Sequence, residues 1–310
     1  MDFSSRRGEA QSLVKEANKL ANPSFLGMRM KGDWLGATPL YERAALLFRQ
    51  TGDVESAKEC WEKAAQGHKA QRSPWHAAKA LERAADLARE AGHFSEIETL
   101  YSNCAELYVE EGRPQAAAEA ISRGAVALSD ANPDVASSLH FKAIEWLEES
   151  DKESTFPDIY RQAIMHAVKS KKWVDAVKME LKFAVSSYSG NAMSTMAKSY
   201  LSAVVIYLYS EDGKRAWETY QDALGVPEFA SSDQAFAAED VIAAYRSKSK
   251  ESIESAISRH ASFKFLDNCI ARLVKNLTKT DVAKTAEGLG GGAVDLGTLT
   301  LHDDDEEDLT

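Results

Sequence analysis

The side chains able to do chemistry are scattered along this chain. His68, His76, His93, His140, His166, His260 and His302 stand singly, and none joins a Cys/His group at metal-ligand spacing. Each reads as a partly exposed helix residue. Cys60, Cys104 and Cys269 are odd in number and far apart, with no C-x-x-C pair. That pattern predicts a reducing compartment and small buried side chains, with no disulfide framework or zinc site. The paired acids Glu110/Glu111 and Glu148/Glu149 fall near helix ends as solvated charge. The run Gly288-Leu289-Gly290-Gly291-Gly292-Ala293 fits G-x-G-x-x-A, but no strand precedes it and no long helix follows. It therefore reads as a linker and not as a dinucleotide loop. The sequence holds no G-x-x-x-x-G-K-[ST], H-E-x-x-H or G-x-S-x-G motif and no EF-hand loop. The expectation is a protein that is not an enzyme and that takes no cofactor or metal.

Charge narrows the partners. The net charge is −11, and Asp303-Asp304-Asp305-Glu306-Glu307-Asp308 supply more than half of it. The remaining body is mildly acidic, so nucleic acid is not an expected partner. The first residues lead straight into helical periodicity without a secretory h-region, and no apolar run approaches membrane-spanning length. The sequon Asn276-Leu277-Thr278 then reads as chance. A cytoplasmic protein is expected.

The elements are legible from punctuation. Gly32, Gly52, Gly92, Gly112 and Gly213 lie near multiples of twenty residues apart, with Arg72, Asn132, Lys152 and Lys172 standing in where Gly is missing. Glycine is favoured just past a helix end because it tolerates the left-handed conformation. Pro39, Pro74, Pro114, Pro133 and Pro157 follow such marks, and Thr38, Ser73 and Asn132 precede three of them as good N-caps. Pro23 and Pro227 fall in candidate loops. Between marks the apolar residues recur at three and four, as in Ala77, Ala78, Leu81, Ala84, Ala85 and Ala88. Strand-like alternation is nearly absent, and Ala203-Val204-Val205-Ile206-Tyr207 reads as a buried helix.

These signals predict an all-α fold. It is a right-handed solenoid of antiparallel helix pairs, similar in kind to tetratricopeptide repeats but with a period of about 40 residues. The solenoid spans 1–226. A C-terminal helical bundle follows over 227–285, with helices near 233–246, 249–260 and 263–279. A flexible Gly-rich and acidic tail covers 286–310.

Three surface features remain. The segment from Asn22 to Lys31 carries Phe25, Leu26, Met28 and Met30 interleaved with Arg29 and Lys31. It either folds back on the first helix pair or inserts shallowly into a bilayer surface, where each buried apolar side chain is worth roughly 1.5–3 kcal/mol and each nearby base about 1 kcal/mol. Arg161, Lys169, Lys171 and Lys172, with Lys178 and Lys182, form the densest positive stretch. They read either as a solvated helix end or as a contact for an acidic, elongated partner. In the tail, the apolar Leu309 behind six acids has no role in solubility and reads as a recognition tip.

The chain resembles the soluble NSF attachment proteins (SNAPs), and within them the gamma branch. The residues that carry the likeness are His76-Ala77-Ala78-Lys79-Ala80-Leu81-Glu82, Tyr108-Val109-Glu110-Glu111-Gly112-Arg113-Pro114, Pro227-Glu228-Phe229 and Phe263-Lys264-Phe265-Leu266-Asp267-Asn268. The likeness runs from the first helix to about Leu277. It implies an adaptor that binds the four-helix SNARE complex and recruits and stimulates the hexameric ATPase NSF for SNARE disassembly in vesicle trafficking. It implies that Glu306, Glu307, Asp308 and Leu309 engage the ATPase, and that Phe25 and Leu26 meet the membrane, which gives a peripheral membrane location. The family's basic SNARE-facing residues do not map cleanly onto this chain. Arg161, Lys169, Lys171 and Lys172 are SNARE-contacting candidates from local charge alone. The alternative is a helical-repeat scaffold for another peptide or coiled-coil partner, with no role at NSF.

Overall fold

The computed structural model describes residues 3–22, 32–150 and 155–290. Among them every regular element is helical. The chain divides into two compact units between residues 192 and 193.

Among its described residues the first unit shows nine helices in consecutive antiparallel contact. They are α1 (Phe3–Ala21), α2 (Trp34–Gln50), α3 (Val54–Ala70), α4 (Pro74–Ala91), α5 (Phe94–Glu110), α6 (Pro114–Leu128), α7 (Pro133–Glu149), α8 (Pro157–Lys169) and α9 (Trp173–Ser189). The turns explain the spacing. At most of them one residue in the left-handed region reverses the chain: Gly52, Arg72, Gly92, Gly112 and Lys171 have φ of +56° to +79°. The next residue then donates its N–H back five positions, from Asp53 to Phe48 O (2.9 Å), Ser73 to His68 O (2.9 Å), Arg113 to Tyr108 O (2.8 Å) and Lys172 to Ala167 O (2.9 Å). This 6→1 bond satisfies a carbonyl that a helix end leaves unpaired. The same residue usually starts the next helix, so each turn is both a stop and a start.

Several punctuation marks fall elsewhere than the sequence predicts, and Lys152 lies outside the described residues. Asn132 is the N-cap of α7 with φ −145° and not a left-handed residue. The left-handed residue of the α8–α9 turn is Lys171, and Lys172 is the N-cap of α9. Thr38 is not an N-cap. Helix α2 starts at Trp34, because Asp33 Oδ1 accepts the Gly36 N–H at 3.0 Å. Pro39 then lies inside the helix, where it can donate no N–H to the carbonyl of Leu35, an exposed residue.

Small residues at the contacts let the helices approach closely. Ala44, Ala45, Ala64, Ala84, Ala85, Ala117 and Ala118 are fully or almost fully buried, with Tyr41, Tyr108, Leu87 and Ile121 filling the spaces between them. Gly67 on α3 is one such point. A Cβ there would lie 2.1 Å from Thr38 Oγ1, and that oxygen is pinned by bonds to Trp34 O (2.6 Å) and from Gln71 Nε2 (2.8 Å). Gly67→Ala is therefore expected to destabilise the first unit by roughly 1–3 kcal/mol, despite the better helix propensity of Ala. Urea unfolding checks this, and an unchanged midpoint would contradict it.

The repeat period appears again as polar stitches between equivalent positions. Lys58 Nζ reaches Glu96 Oε2 (2.5 Å), Ser122 Oγ reaches Gln162 (2.9 Å), Lys169 reaches Asp130 (2.5 Å) and Lys172 reaches Asp134 (2.5 Å). Arg123 pairs with Glu82 in the same way. Each partner lies 38 to 41 residues away. These stitches join α3 to α5, α4 to α6, α6 to α8 and the N-cap of α9 to α7, always within the even-numbered or within the odd-numbered helices.

The second unit is built round α10 (Met193–Tyr209), which is buried along most of its length. The apolar run Ala203–Tyr207 is indeed helical. Around it lie α11 (Gly213–Leu224), the short α12 (Pro227–Ala230), α13 (Asp233–Arg246) and α15 (Asn268–Val274), with α14 (Lys250–Arg259) and α16 (Val282–Gly288) outside them. The predicted helix over 263–279 is broken into a 3-10 turn (Ala261–Phe265), α15 and a second 3-10 turn (Leu277–Lys279). Extended backbone at Leu266 (ψ 157°) and Asp267 (ψ 147°) interrupts it. At the start of α11 the left-handed residue is Glu211 (φ +62°). Gly213 serves packing instead, since a Cβ there would meet Thr285 O of α16 at 1.9 Å.

Candidate partner-binding surface

The even layer of the first unit carries an exposed arginine on each helix, in one 40-residue register on α2, α4 and α6, while Arg161 of α8 falls two residues short of that register and lies 5.7 Å from the Phe183 ring of α9. Arg43, Arg83, Arg123 and Arg161 lie on α2, α4, α6 and α8, 40, 40 and 38 residues apart, and all are exposed. The four arginines fall one to each even-numbered helix, a ladder with one rung per repeat. On three of the helices an exposed apolar residue follows one turn later: Leu46 (50%), Val126 (44%) and Met165 (53%). The odd layer contrasts in sign. Helices α3, α5 and α7 expose Glu55, Glu59, Glu98, Glu106, Glu110, Glu145 and Glu149.

Each ladder arginine is oriented by a neighbour. Arg43 pairs with Glu9 and Arg123 with Glu82, Arg161 Nη1 donates to Asp158 Oδ1 at 3.0 Å, and the Arg83 guanidinium lies over the Trp61 ring at 4.3 Å. A guanidinium has five N–H donors, so one carboxylate or ring fixes its direction and leaves donors for a partner. Glu82 is the most enclosed of these acids. It takes Arg123, Lys79 and the Tyr108 hydroxyl together. Burial first, and then the Glu82 charge, pushes the Tyr108 phenol far above its ordinary range.

The basic cluster singled out from local charge is divided by the fold. Arg161 stands eight residues before Lys169 on α8, about 12 Å along the axis. Lys169 and Lys172 are each paired to an acid of the preceding repeat, Asp130 and Asp134. Their hydrogen bonds hold both carboxyls below the usual carboxylate range. Lys171 is exposed at the left-handed turn position. Arg161 thus belongs with the ladder, and the three lysines lie at the hairpin ends. The ladder was missed because its members are 40 residues apart; aligning the sequence on its own repeat would have found it.

The other candidates lie outside the described residues: Phe25, Leu26, Met28 and Met30 in one segment, and Glu306, Glu307, Asp308 and Leu309 in the other. The neck of the first segment is described. Asp33 N–H donates to Leu20 O at 2.8 Å, and Gly32 sits so close that a Cβ would meet Ala21 O at 1.9 Å. The end of α1 and Gly32-Asp33 therefore stand in direct contact.

The histidines and cysteines sort differently from their sequence reading. His140 and His166 are not partly exposed: they are 1% and 4% accessible, with ring centroids 5.3 Å apart between α7 and α8. They fall on the buried stripes of two packed helices, which the spacing of single residues did not reveal. His166 Nε2 meets Ser137 Oγ (3.2 Å) and Pro133 O (3.0 Å), while neither His140 nitrogen has a partner among the described residues. Burial, and then the neighbouring His166, lowers the His140 pKa to about 3. Cys60 and Cys104 are buried, and burial pushes the Cys60 thiol up to about 12, which keeps it protonated and unreactive. Among the described residues no three His, Cys, Asp or Glu side chains are placed to hold a metal ion, and no helix is long and apolar enough to cross a membrane.

A layered helical-hairpin stack with a periodic basic and apolar face suits protein binding. The sequence model described as soluble NSF attachment protein, SNAP, matches residues 8–281. The chain belongs to the SNAP family. A gamma-soluble NSF attachment protein of Arabidopsis thaliana is 35% identical over 303 residues, covering 97% of this chain and 99% of that protein. One of Dictyostelium discoideum is 29% identical over 275 residues, covering 89% and 84%. The crystal structure of BtubC (BKLC) from P. vanneervenii aligns over 90% of this chain and 94% of that one at 13% identity. Its TM-score is 0.39, a likeness too slight to bear on fold or function. The span matched to the SNAP family holds all four ladder arginines and residues 23–31, and it stops before the acidic tail.

Proposed function

We propose that this SNAP-family chain is an adaptor that holds a SNARE complex against the even layer of its first unit and recruits NSF through its acidic C-terminus. The ladder Arg43–Arg83–Arg123–Arg161, with Leu46, Val126 and Met165 beside it, supports the first half most. An elongated acidic helical bundle lying across four helices meets one guanidinium per repeat, and the apolar residues provide contact area between the charges. Lys169, Lys171 and Lys172 at the hairpin ends extend the basic surface to one side. The oriented ion pairs mean that little side-chain freedom is lost on binding.

The second half rests on Glu306-Glu307-Asp308-Leu309. Acids with one apolar residue at the tip match a basic surface with a small apolar pocket on the ATPase. The adaptor itself needs only to position and stimulate, and it hydrolyses nothing. Leu309→Ala is expected to leave SNARE pull-down unchanged and to reduce the stimulation of NSF ATPase activity at least tenfold. Stimulation equal to wild type would remove Leu309 from the reading and favour a scaffold without an NSF role.

Membrane contact is peripheral and is made by Phe25, Leu26, Met28 and Met30, with Arg29 and Lys31 near the headgroups. Replacing Phe25 and Leu26 by Ser should lower liposome flotation several-fold, since each apolar side chain inserted contributes roughly 1.5–3 kcal/mol. Flotation equal to wild type would mean that these residues do not enter the bilayer.

A further inference from the structure

The second unit carries a basic face that the adaptor reading does not use. On the run from α15 through the following 3-10 turn, Arg272, Lys275 and Lys279 are exposed, while Ile270, Leu273, Val274 and Leu277 are buried. The three bases follow one another along the solvent side as a basic row, Arg272 on α15, Lys275 at its C-cap and Lys279 at the end of the 3-10 turn. Lys264 and Phe265 stand exposed at the preceding 3-10 turn, Phe265 at 66%. Among the described residues, the side chains of Lys264, Arg272, Lys275 and Lys279 make no ion pair or hydrogen bond. The only acid in residues 264–279 is Asp267.

We propose that this row is the docking site of the chain's own acidic segment, Asp303–Asp308, with Leu309 placed against Phe265. Charge is complementary, with six acids facing four bases. The connection is also short. Two consecutive residues of α13 hold the two ends of the problem. Tyr245 donates its hydroxyl to Leu277 O at 3.0 Å, between Lys275 and Lys279, and Arg246 Nη2 donates to Leu289 O at 2.8 Å. The basic row and the last buried residue before the tail therefore lie within two side-chain lengths of one helix end. From Gly290 to Asp303 is thirteen residues, which bridge up to about 45 Å when extended. A tethered ligand of this kind acts at a local concentration on the order of millimolar, so individually weak, salt-screened contacts suffice. In the docked state the acids and Leu309 are withheld from any other partner. The docking does not depend on the NSF reading, and its test contains no NSF.

The test is zero-length carbodiimide cross-linking of dilute full-length protein, read by mass spectrometry. The expected result is intrachain links from Lys275, Lys279 or Lys264 to the carboxyls of 303–308. Their yield should fall at least fivefold between about 0.05 and 0.5 M salt, and at least threefold at Lys275 and Lys279 in Arg272→Glu. Arg272 is exposed, so a circular-dichroism melt equal to wild type is expected for that variant; an altered melt is answered by the salt series, which needs no substitution. Links spread evenly over lysines elsewhere, such as Lys15 and Lys69, would overturn the proposal. So would links that prove interchain when heavy- and light-isotope proteins are mixed. If the links are absent while phosphatidylserine vesicles capture wild type and not Arg272→Glu, the row is a lipid-facing surface and the intrachain docking is wrong.

Discussion

Arg43→Glu with Arg83→Glu is expected to weaken SNARE-complex binding roughly 30- to 150-fold while leaving the thermal melt close to that of wild type. Each arginine is exposed, so one attractive contact is worth about 0.2–1 kcal/mol. Reversal replaces it with repulsion of similar size. Two reversals then sum to about 0.8–4 kcal/mol, and the stated loss takes the middle of that range, about 2–3 kcal/mol, at 1.4 kcal/mol per tenfold. The fold should tolerate the change. Arg43 loses only a surface pair with Glu9, and Arg83 loses a stacking contact on Trp61. The loss should shrink as salt rises, because exposed charges are screened over about 10 Å at 0.1 M. Lys69→Glu makes the same charge change on the odd layer and should bind as wild type does. If Lys69→Glu weakens binding as much as the ladder variant, the two layers are equivalent and the ladder has no special role.

Acidification should open the first unit at the α7–α8 seam, and His140 should account for much of the effect. An unfolded histidine takes up its proton near pH 6.5. In the fold burial holds His140 to about 3, and His166 is lowered in the same direction by the same cause. Between those values the unfolded chain binds more protons than the folded one, so stability falls as pH falls, beginning near pH 6.5 and continuing to about pH 3. The slope is at most about 1.4 kcal/mol per pH unit for each histidine. His140 is almost fully enclosed, so little of this is lost to solvent screening. Lys169, Lys172 and Asp130 act on His166 as well, and the lowered Asp130 and Asp134 add their own acid sensitivity. A variant comparison separates these contributions. His140→Phe keeps a ring in the site and removes both unpartnered nitrogens. Urea unfolding at pH 7 and pH 4.5 should show a loss in wild type that exceeds the loss in His140→Phe by about 2–3 kcal/mol. Equal losses would mean that the buried ring does not govern acid stability.

Much of the architecture was readable because glycine and proline mark the turns by covalent geometry. Gly52, Gly92 and Gly112 take the left-handed position that a Cβ disfavours, and Pro74, Pro114, Pro133 and Pro157 open helices. The marks failed where another residue pays that conformational cost, as at Lys171 and Glu211, because position in the repeat and not residue type decides there. They also failed at Thr38-Pro39, where Asp33 caps α2 one turn earlier. The break within 263–279 was hidden because its apolar spacing is compatible with one continuous helix. The binding surface was the least legible part. Local charge density drew attention to Lys169, Lys171 and Lys172, yet two of these are occupied by acids one repeat away. The ladder has no local density at all and exists only once the repeats are stacked.

The most direct measurement is SNARE-complex disassembly by purified NSF and ATP, with and without this protein. An adaptor reading predicts disassembly that depends on the protein, is lost in Leu309→Ala through failure of ATPase stimulation, and is lost in the Arg43→Glu/Arg83→Glu variant through failure of SNARE binding. Disassembly at the same rate without the protein, or a folded protein that binds neither component, would contradict it.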